Sequence, residues 1–208
     1  MTHVYIGIDN GSTGSVGIIN NEGSADFFKT PTKEVPNYTK EVQMISRIDL
    51  LVLKKLIMEH TPLNGEFLFR ALIERPFMSP VMSIDYTEFV DLEEAKNAGV
   101  QGLFTYVDVK KKVPTVNMML FKASLNAHRS FEATVILMES MKIGYEVVDS
   151  KAWQKEMLGN GIKGSKNLKD ASMLKGIQMF PHLETAIKKH KDADGIMIAA
   201  FAQKYYSQ

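Results

Sequence analysis

The amino-acid sequence predicts an α/β domain in which a sheet is covered by helices on both faces. Three observations point there. Short β-branched runs separated by glycine turns open the chain, and an apolar strand ending in an acid follows a helical stretch. The second half then alternates one more short strand with amphipathic helices. The 208 residues are 45% hydrophobic and 24% charged, an ordinary globular composition with length for one substantial core, so a single domain over 1–208 is expected.

The elements follow in order. His3–Asp9 is rich in β-branched and aromatic residues and predicts a strand. Asn10–Gly14 turns into a second strand, Ser15–Asn20. Asn21-Glu22-Gly23 turns again into Ala25–Lys29, and such short connections predict an antiparallel meander. Apolar residues at Val42, Ile45, Ile48, Leu51, Leu53, Leu56 and Ile57 predict one amphipathic helix over Val42–His60. Phe67–Glu74, F-L-F-R-A-L-I-E, reads as a buried strand. A helix is expected near Tyr86–Ala95, ahead of a Lys110-Lys111-Lys112 cluster. Asn126–Met141 predicts a helix stopped by Gly144. Tyr145–Val148 predicts a short strand, and Ser150–Leu158 and Ser165–Phe180 predict helices joined by the loop Gly159–Gly164. The last helix is expected from about Asp192 to Tyr206, with Ile196, Ile198, Ala199 and Phe201 inward.

The totals exclude some classes of function. Cysteine is absent, which rules out disulfides and thiolate metal sites. No apolar run approaches the roughly 18 residues of a membrane span, and Met1-Thr2-His3-Val4 lacks the basic and apolar regions of a secretory signal. A cytoplasmic location is expected, the host's cytoplasm if the protein is viral. Net charge is only +1, but the stretch 151–191 holds nine lysines against three acids (Glu156, Asp170, Glu184). A solvated helical face explains such a run, and so does a surface that follows a polyanion by releasing its counterions.

Two acids end apolar strands. Asp9 meets a glycine turn, where an aspartate often caps the turn through backbone amides. Glu74 closes a strand that is apolar apart from Arg70, and a carboxylate there needs a partner or a cation to offset its desolvation. If the two strands are neighbours, both acids emerge at one sheet edge, where ligands of α/β sheets gather. Asp194 lies at the start of the last helix, a position that also suits the helix dipole. Converging carboxylates of this kind suit a hard divalent ion, and a pair of ions about 4 Å apart can support phosphodiester hydrolysis.

These residues resemble a family. Ile6-Gly7-Ile8-Asp9 with Gly11-Ser12-Thr13-Gly14 is similar to the first strand and turn of RuvC-type Holliday-junction resolvases. Ala71-Leu72-Ile73-Glu74 resembles their second acidic strand, and Glu74-Arg75-Pro76-Phe77-Met78 has their E-x-x-F-M spacing. Ser150-Lys151-Ala152-Trp153-Gln154-Lys155, Lys169-Asp170-Ala171-Ser172 and Met179-Phe180-Pro181 resemble phage and chloroplast members. Ala193-Asp194-Gly195-Ile196-Met197-Ile198-Ala199 resembles the family's final helix. The likeness covers both ends of the chain and lapses over about 79–122, a candidate insertion.

The resemblance implies a ribonuclease-H-like fold, with a mixed five-stranded sheet and helices on both faces. It implies a Mg²⁺-dependent endonuclease, with Mn²⁺ able to substitute, that cuts four-way or otherwise branched DNA to leave a 5′-phosphate and a 3′-hydroxyl. Symmetric cutting implies a homodimer. Asp9, Glu74 and Asp194 match three metal-binding carboxylates. The family's fourth ligand is an Asp or His three or four residues before the last Asp. Lys191 occupies the first of those places and His190 the second, so His190 is the preferred fourth ligand, on the face that i and i+4 share in a helix. Asp192 takes that role if the helix starts after it and leaves it in the loop. Phe77 matches an aromatic that stacks on a base near the scissile site, and packing under its loop explains it equally well. Lys151, Lys155, Lys163 and Lys166 are the phosphate-contact candidates, while Trp153 is read as core.

Two other readings share these residues. Asp9-Asn10-Gly11-Ser12-Thr13-Gly14 also resembles the first phosphate loop of the actin and sugar-kinase ATP-binding superfamily. Those proteins clasp nucleotide between two such domains, and neither that length nor a clear second glycine-rich loop is found in this sequence. The other is a branched-DNA-binding protein whose metal site has decayed, a reading that Lys191 keeps open.

Overall fold

The computed structural model describes residues 1–37, 40, 42–60, 66–76, 83–91, 106–114 and 118–207. In chain order the strands and helices are β1 (Thr2–Ile8), β2 (Ser15–Asn20), β3 (Ala25–Lys29), β4 (Thr32–Pro36), β5 (Met44–Ile48), α1 (Leu50–Glu59), β6 (Phe67–Glu74), β7 (Ser83–Asp91) and β8 (Tyr106–Pro114). They continue as α2 (Met118–Ser140), β9 (Gly144–Val148), α3 (Ser150–Leu158), α4 (Ser165–Met179), α5 (Glu184–His190) and α6 (Asp194–Tyr206), with a short 3-10 turn at Pro181–Leu183. The chain divides into two compact units, Met1–Pro76 with Asn126–Gln208, and Phe77–Leu125.

The larger unit is built on a five-stranded sheet of order β3-β2-β1-β6-β9. β1, β2 and β3 form the expected antiparallel meander, with Gly7 opposite Gly17 and Val16 opposite Phe28. β6 runs parallel to β1 and β9 parallel to β6, so the sheet is mixed. This is the α/β fold with a mixed five-stranded sheet that the sequence predicts, in the ribonuclease-H-like arrangement. Side chains alternate across the pleat. Val4, Ile6 and Ile8 meet Leu53 and Ile57 of α1 and Met138 of α2 on one face. Tyr5, Ile19 and Leu72 meet Trp153, Ile187 and the apolar side of α6 on the other.

The approach of α6 to the sheet depends on missing side chains. A Cβ on Gly7 would lie 2.1 Å from the Ala199 nitrogen, and one on Gly17 would lie 2.3 Å from the Ile196 Cα. Gly195 closes on Ser15 in the same way, and its amide donates to the buried Ser15 hydroxyl at 3.0 Å. Helix backbone therefore rests on strand backbone, which fixes the start of α6 against β1 and β2.

Several elements differ from expectation. Val42–His60 is not one helix: Met44–Ile48 is a strand paired antiparallel with β4, an element the sequence reading passes over. Asp49 then caps α1 by accepting from the amides of Leu51 and Val52. The apolar spacing continues across the junction because Ile48 and the inner face of α1 enter one core, so periodicity alone hides the break. In the second unit, described by itself, Ser83–Asp91 is a strand paired with β8 (Tyr86 opposite Lys111) where a helix near Tyr86–Ala95 was expected. Cross-strand pairing prevails there in a segment rich in β-branched and aromatic residues, and 92–95 lie outside the described residues. α2 begins at Met118, ahead of the expected Asn126. The last helix begins at Asp194 rather than about Asp192, after a further helix, α5, that the sequence reading lacks.

Candidate metal centre

The register of β1 and β6 positions the first two acids. Ile8 lies opposite Ile73 in parallel strands, so Asp9 and Glu74 each follow by one residue and leave the sheet at the same edge. Asp9 is still tied to the meander, its amide donating to the Ser15 carbonyl at 3.0 Å. Gly14 folds back onto it so closely that a Cβ there would meet the Asp9 carbonyl oxygen at 2.1 Å. The turn is held on its other side by Asn10, whose Nδ2 donates to the Ala127 carbonyl of α2 at 3.1 Å.

Asp192 and Asp194 arrive from the junction of α5 and α6. Lys191 ends α5 in the left-handed conformation (φ 75°), Asp192 and Ala193 form the link, and Asp194 opens α6. One oxygen each from Asp9, Asp192 and Asp194 can be chosen so that all lie within 4.8 Å of one another, a group that could hold a metal ion. Glu74 stands beside this triple, and its Oε2 accepts from the Trp153 indole nitrogen at 2.8 Å.

The electrostatics show four carboxylates competing for one small volume. Burial pushes Asp9 well above the ordinary carboxylate range, and the charges of Glu74, Asp194 and Asp192 push it further. Burial lifts Glu74 to about 7 against the lowering effect of the Trp153 hydrogen bond, with Asp194 and Asp192 adding to the rise. Burial lifts Asp194 to about 6, opposed by its hydrogen bond from Ser172. Asp192 is the exception. The residue is 2% exposed, and that burial acts to raise it, yet the adjoining His190 and Lys169 outweigh burial and leave it below the ordinary value. Lys169 of α4 reaches Asp192 Oδ2 at 3.0 Å.

His190 and Asp194 do not share a helical face, because the left-handed Lys191 separates α5 from α6. His190 instead packs edge-on against Phe27, with ring centroids 5.6 Å apart. Its buried Nε2 lies 3.2 Å from Asp192 Oδ1 without the alignment of a hydrogen bond. The loop position that the sequence reading required for Asp192 as the alternative is the one observed. The Lys191 side chain is exposed. Lys151 and Lys155 lie on α3, Lys163 in the loop before α4 and Lys166 in its first turn, all exposed. Trp153 is fully buried, as expected of core. Phe77 lies outside the described residues.

Sequence reasoning missed Lys169 and Ser172 as members of the site. Ser172 is buried, its hydroxyl donating to Asp194 Oδ1 and accepting the Ala193 amide at 3.0 Å. A signal was present in the spacing. Lys169, Ser172 and Gly176 recur at three and four residues, so they share one face of α4. Gly176 lies so close to Ala193 that a Cβ there would stand 2.4 Å from the alanine methyl.

Fold and site together define a ribonuclease-H-like α/β domain with a cluster of acids at the carboxyl ends of its central strands. No family model matches the chain, and no curated protein matches it. Among solved structures, RuvC from Thermus thermophilus is similar over 99% of this chain and 97% of that one, at 10% identity and a TM-score of 0.45.

Proposed function

We propose that this protein is a divalent-metal-dependent endonuclease acting on Holliday junctions or other branched DNA. The observation that carries the reading is the convergence of Asp9, Asp192 and Asp194 beside Glu74. Carboxylates so placed repel one another, and three of the four hold their protons more tightly than usual as a result of burial and mutual charge. A hard cation relieves both penalties, and an all-oxygen donor set fits Mg²⁺, or Mn²⁺ in its place. Asp9, Asp194 and Asp192 would hold the ion together with Glu74. His190 and Lys169 keep Asp192 ionised, so we assign Asp192 to the fourth ligand place and His190 to its support.

When bound, such an ion would make a water easier to deprotonate and would offset negative charge on the reacting phosphate. Hydrolysis adds water across the P–O3′ bond: the water oxygen joins phosphorus, and the departing O3′ takes up a proton, leaving a 5′-phosphate and a 3′-hydroxyl. Lys151, Lys155, Lys163 and Lys166 would hold the flanking backbone through its phosphates, and Phe77 is the candidate for stacking on an unpaired base. We read residues 79–122 as an insertion in a single-domain plan over 1–208, and the active unit as a C2 homodimer, whose symmetry presents two sites to opposite strands.

The branched substrate comes from the sequence resemblance, and the metal chemistry from the site. The test is incubation with labelled four-way junction, flap and linear duplex in Mg²⁺ and in Mn²⁺, with cuts mapped to the nucleotide and ATP hydrolysis followed alongside. Cleavage of branched substrates that disappears in Asp9→Asn is expected. Activity that survives Asp9→Asn, or no cleavage with either ion, would overturn the reading. ATP turnover in place of cleavage would favour the kinase-like alternative.

A further inference from the structure

Glu74 and Asp194 each commit one carboxylate oxygen to a fully buried neutral donor. Trp153, from α3, gives its indole N–H to Glu74 Oε2 at 2.8 Å. An indole nitrogen only donates, so this contact has one direction. Ser172, from α4, carries a single hydroxyl proton. The Ala193 amide already donates to its oxygen at 3.0 Å, which turns the proton toward Asp194 Oδ1. Ser172 thus holds both Asp194 and the link that brings Asp192 to the site.

We propose that Trp153 and Ser172 are positioning residues of the metal centre: each fixes one oxygen of a carboxylate and leaves the other, Glu74 Oε1 or Asp194 Oδ2, for the cation. The assignment rests on the metal-centre reading above. Both donors are uncharged, so neither adds a charge that the cation must displace, unlike the Lys169 ammonium at Asp192. Both come from helices packed on the same sheet face, so the carboxylates are oriented by the core rather than by mobile surface groups. Partners of this kind typically set metal affinity by roughly 10–100-fold.

The contact also provides its own probe, because Trp153 is the only tryptophan in the chain. The experiment titrates the full-length protein with Mn²⁺ by calorimetry, and by tryptophan emission wherever Trp153 is retained. Variants are Trp153→Phe, which keeps an aromatic ring and removes the donor, Ser172→Ala, Ser172→Thr, which keeps the hydroxyl, and Asp9→Asn as the control for the ion itself. Metal-free melting curves establish that each variant is folded.

Wild-type emission is expected to change saturably with Mn²⁺, in step with the calorimetric isotherm. Trp153→Phe and Ser172→Ala are expected to bind roughly 10–100-fold more weakly, with Ser172→Thr close to wild type. Binding that Asp9→Asn abolishes while Trp153→Phe and Ser172→Ala leave it at the wild-type level overturns the positioning roles and spares the metal centre. Emission that ignores a saturating ion overturns the Trp153 role. No Mn²⁺ binding by wild type overturns both the centre and this proposal. Should Ser172→Ala fail to fold, Trp153→Phe decides alone.

Discussion

Asp9 is the residue on which the site turns, and its surroundings make two opposite demands. Burial and three neighbouring acids make its ionised form costly, while a cation needs that form. Replacing it by Asn is expected to remove both the conflict and the proposed metal ligand. Asp9→Asn is expected to abolish Mn²⁺-dependent cleavage and to raise the metal-free melting temperature by about 2–4 °C, the shift that roughly 1 kcal/mol produces in a chain of this size. Activity assays and calorimetric melting check the two halves separately.

The raised values of Glu74 (about 7) and Asp194 (about 6) have a second consequence. Both groups bind protons more tightly folded than unfolded, so their contribution to stability is full below about pH 4. It is lost as pH rises through about 6 to 7. Asp192, which is lowered, acts in the opposite sense and only in the acid range. Metal-free protein should therefore melt lower at about pH 7.5 than at about pH 5, and Mn²⁺ should raise the melting temperature more at the higher pH, where the ligands are ionised. A melting series with and without Mn²⁺ is the check. A metal-induced shift that is larger at pH 5 would contradict the assignment.

At the scale of elements, the seat of α6 decides whether the acids meet. Gly17→Val places its side chain into the backbone of α6 at Ile196, where even a Cβ would be 2.3 Å away. Neither the strand nor the helix has room to yield, so a loss of about 3 kcal/mol or more is expected, read as a lower urea midpoint. Because α6 carries Asp194, Mn²⁺ affinity should fall with it. The elements also show why some of the architecture was legible and some was not. Ser15–Asn20, Ala25–Lys29, Phe67–Glu74 and Ser150–Leu158 have the boundaries read from the sequence. Each is either a β-branched or apolar run closed by a turn or an acid, or a helix stopped by glycine. Met44–Ile48 was misread because its partner, β4, is a polar strand without such a signature, T-K-E-V-P.

At the scale of the whole molecule, substrate binding is expected to reside in the lysine-rich stretch. Changing Lys151, Lys155, Lys163 and Lys166 together to Ala should weaken junction binding and flatten its salt dependence. Each lost phosphate contact takes about 0.9 from the slope of log K against log salt, so a reduction of roughly 3–4 is expected. Mn²⁺ affinity in the absence of DNA should be unchanged. Binding measured between low and moderate salt tests this, and an unchanged slope would move the DNA path elsewhere. Among the described residues no helix is long and apolar enough to cross a membrane.

The sequence by itself determined the strands that present Asp9 and Glu74, a last helix that starts within two residues of Asp194, and the absence of any thiolate ligand. Those are local facts, written in β-branched runs, glycine turns and apolar spacing. Only the tertiary structure decided which residues join the acids. His190 and Asp194 are four residues apart, but the left-handed Lys191 breaks the helix between them. Lys169, Ser172 and Trp153 reach the site from helices that are distant in sequence. The physical reason is that a carboxylate's partners are chosen by packing across the sheet, where glycine-to-backbone contacts set the helix positions; the three-and-four spacing of Lys169, Ser172 and Gly176 marks one face of a helix but not which acids that face meets.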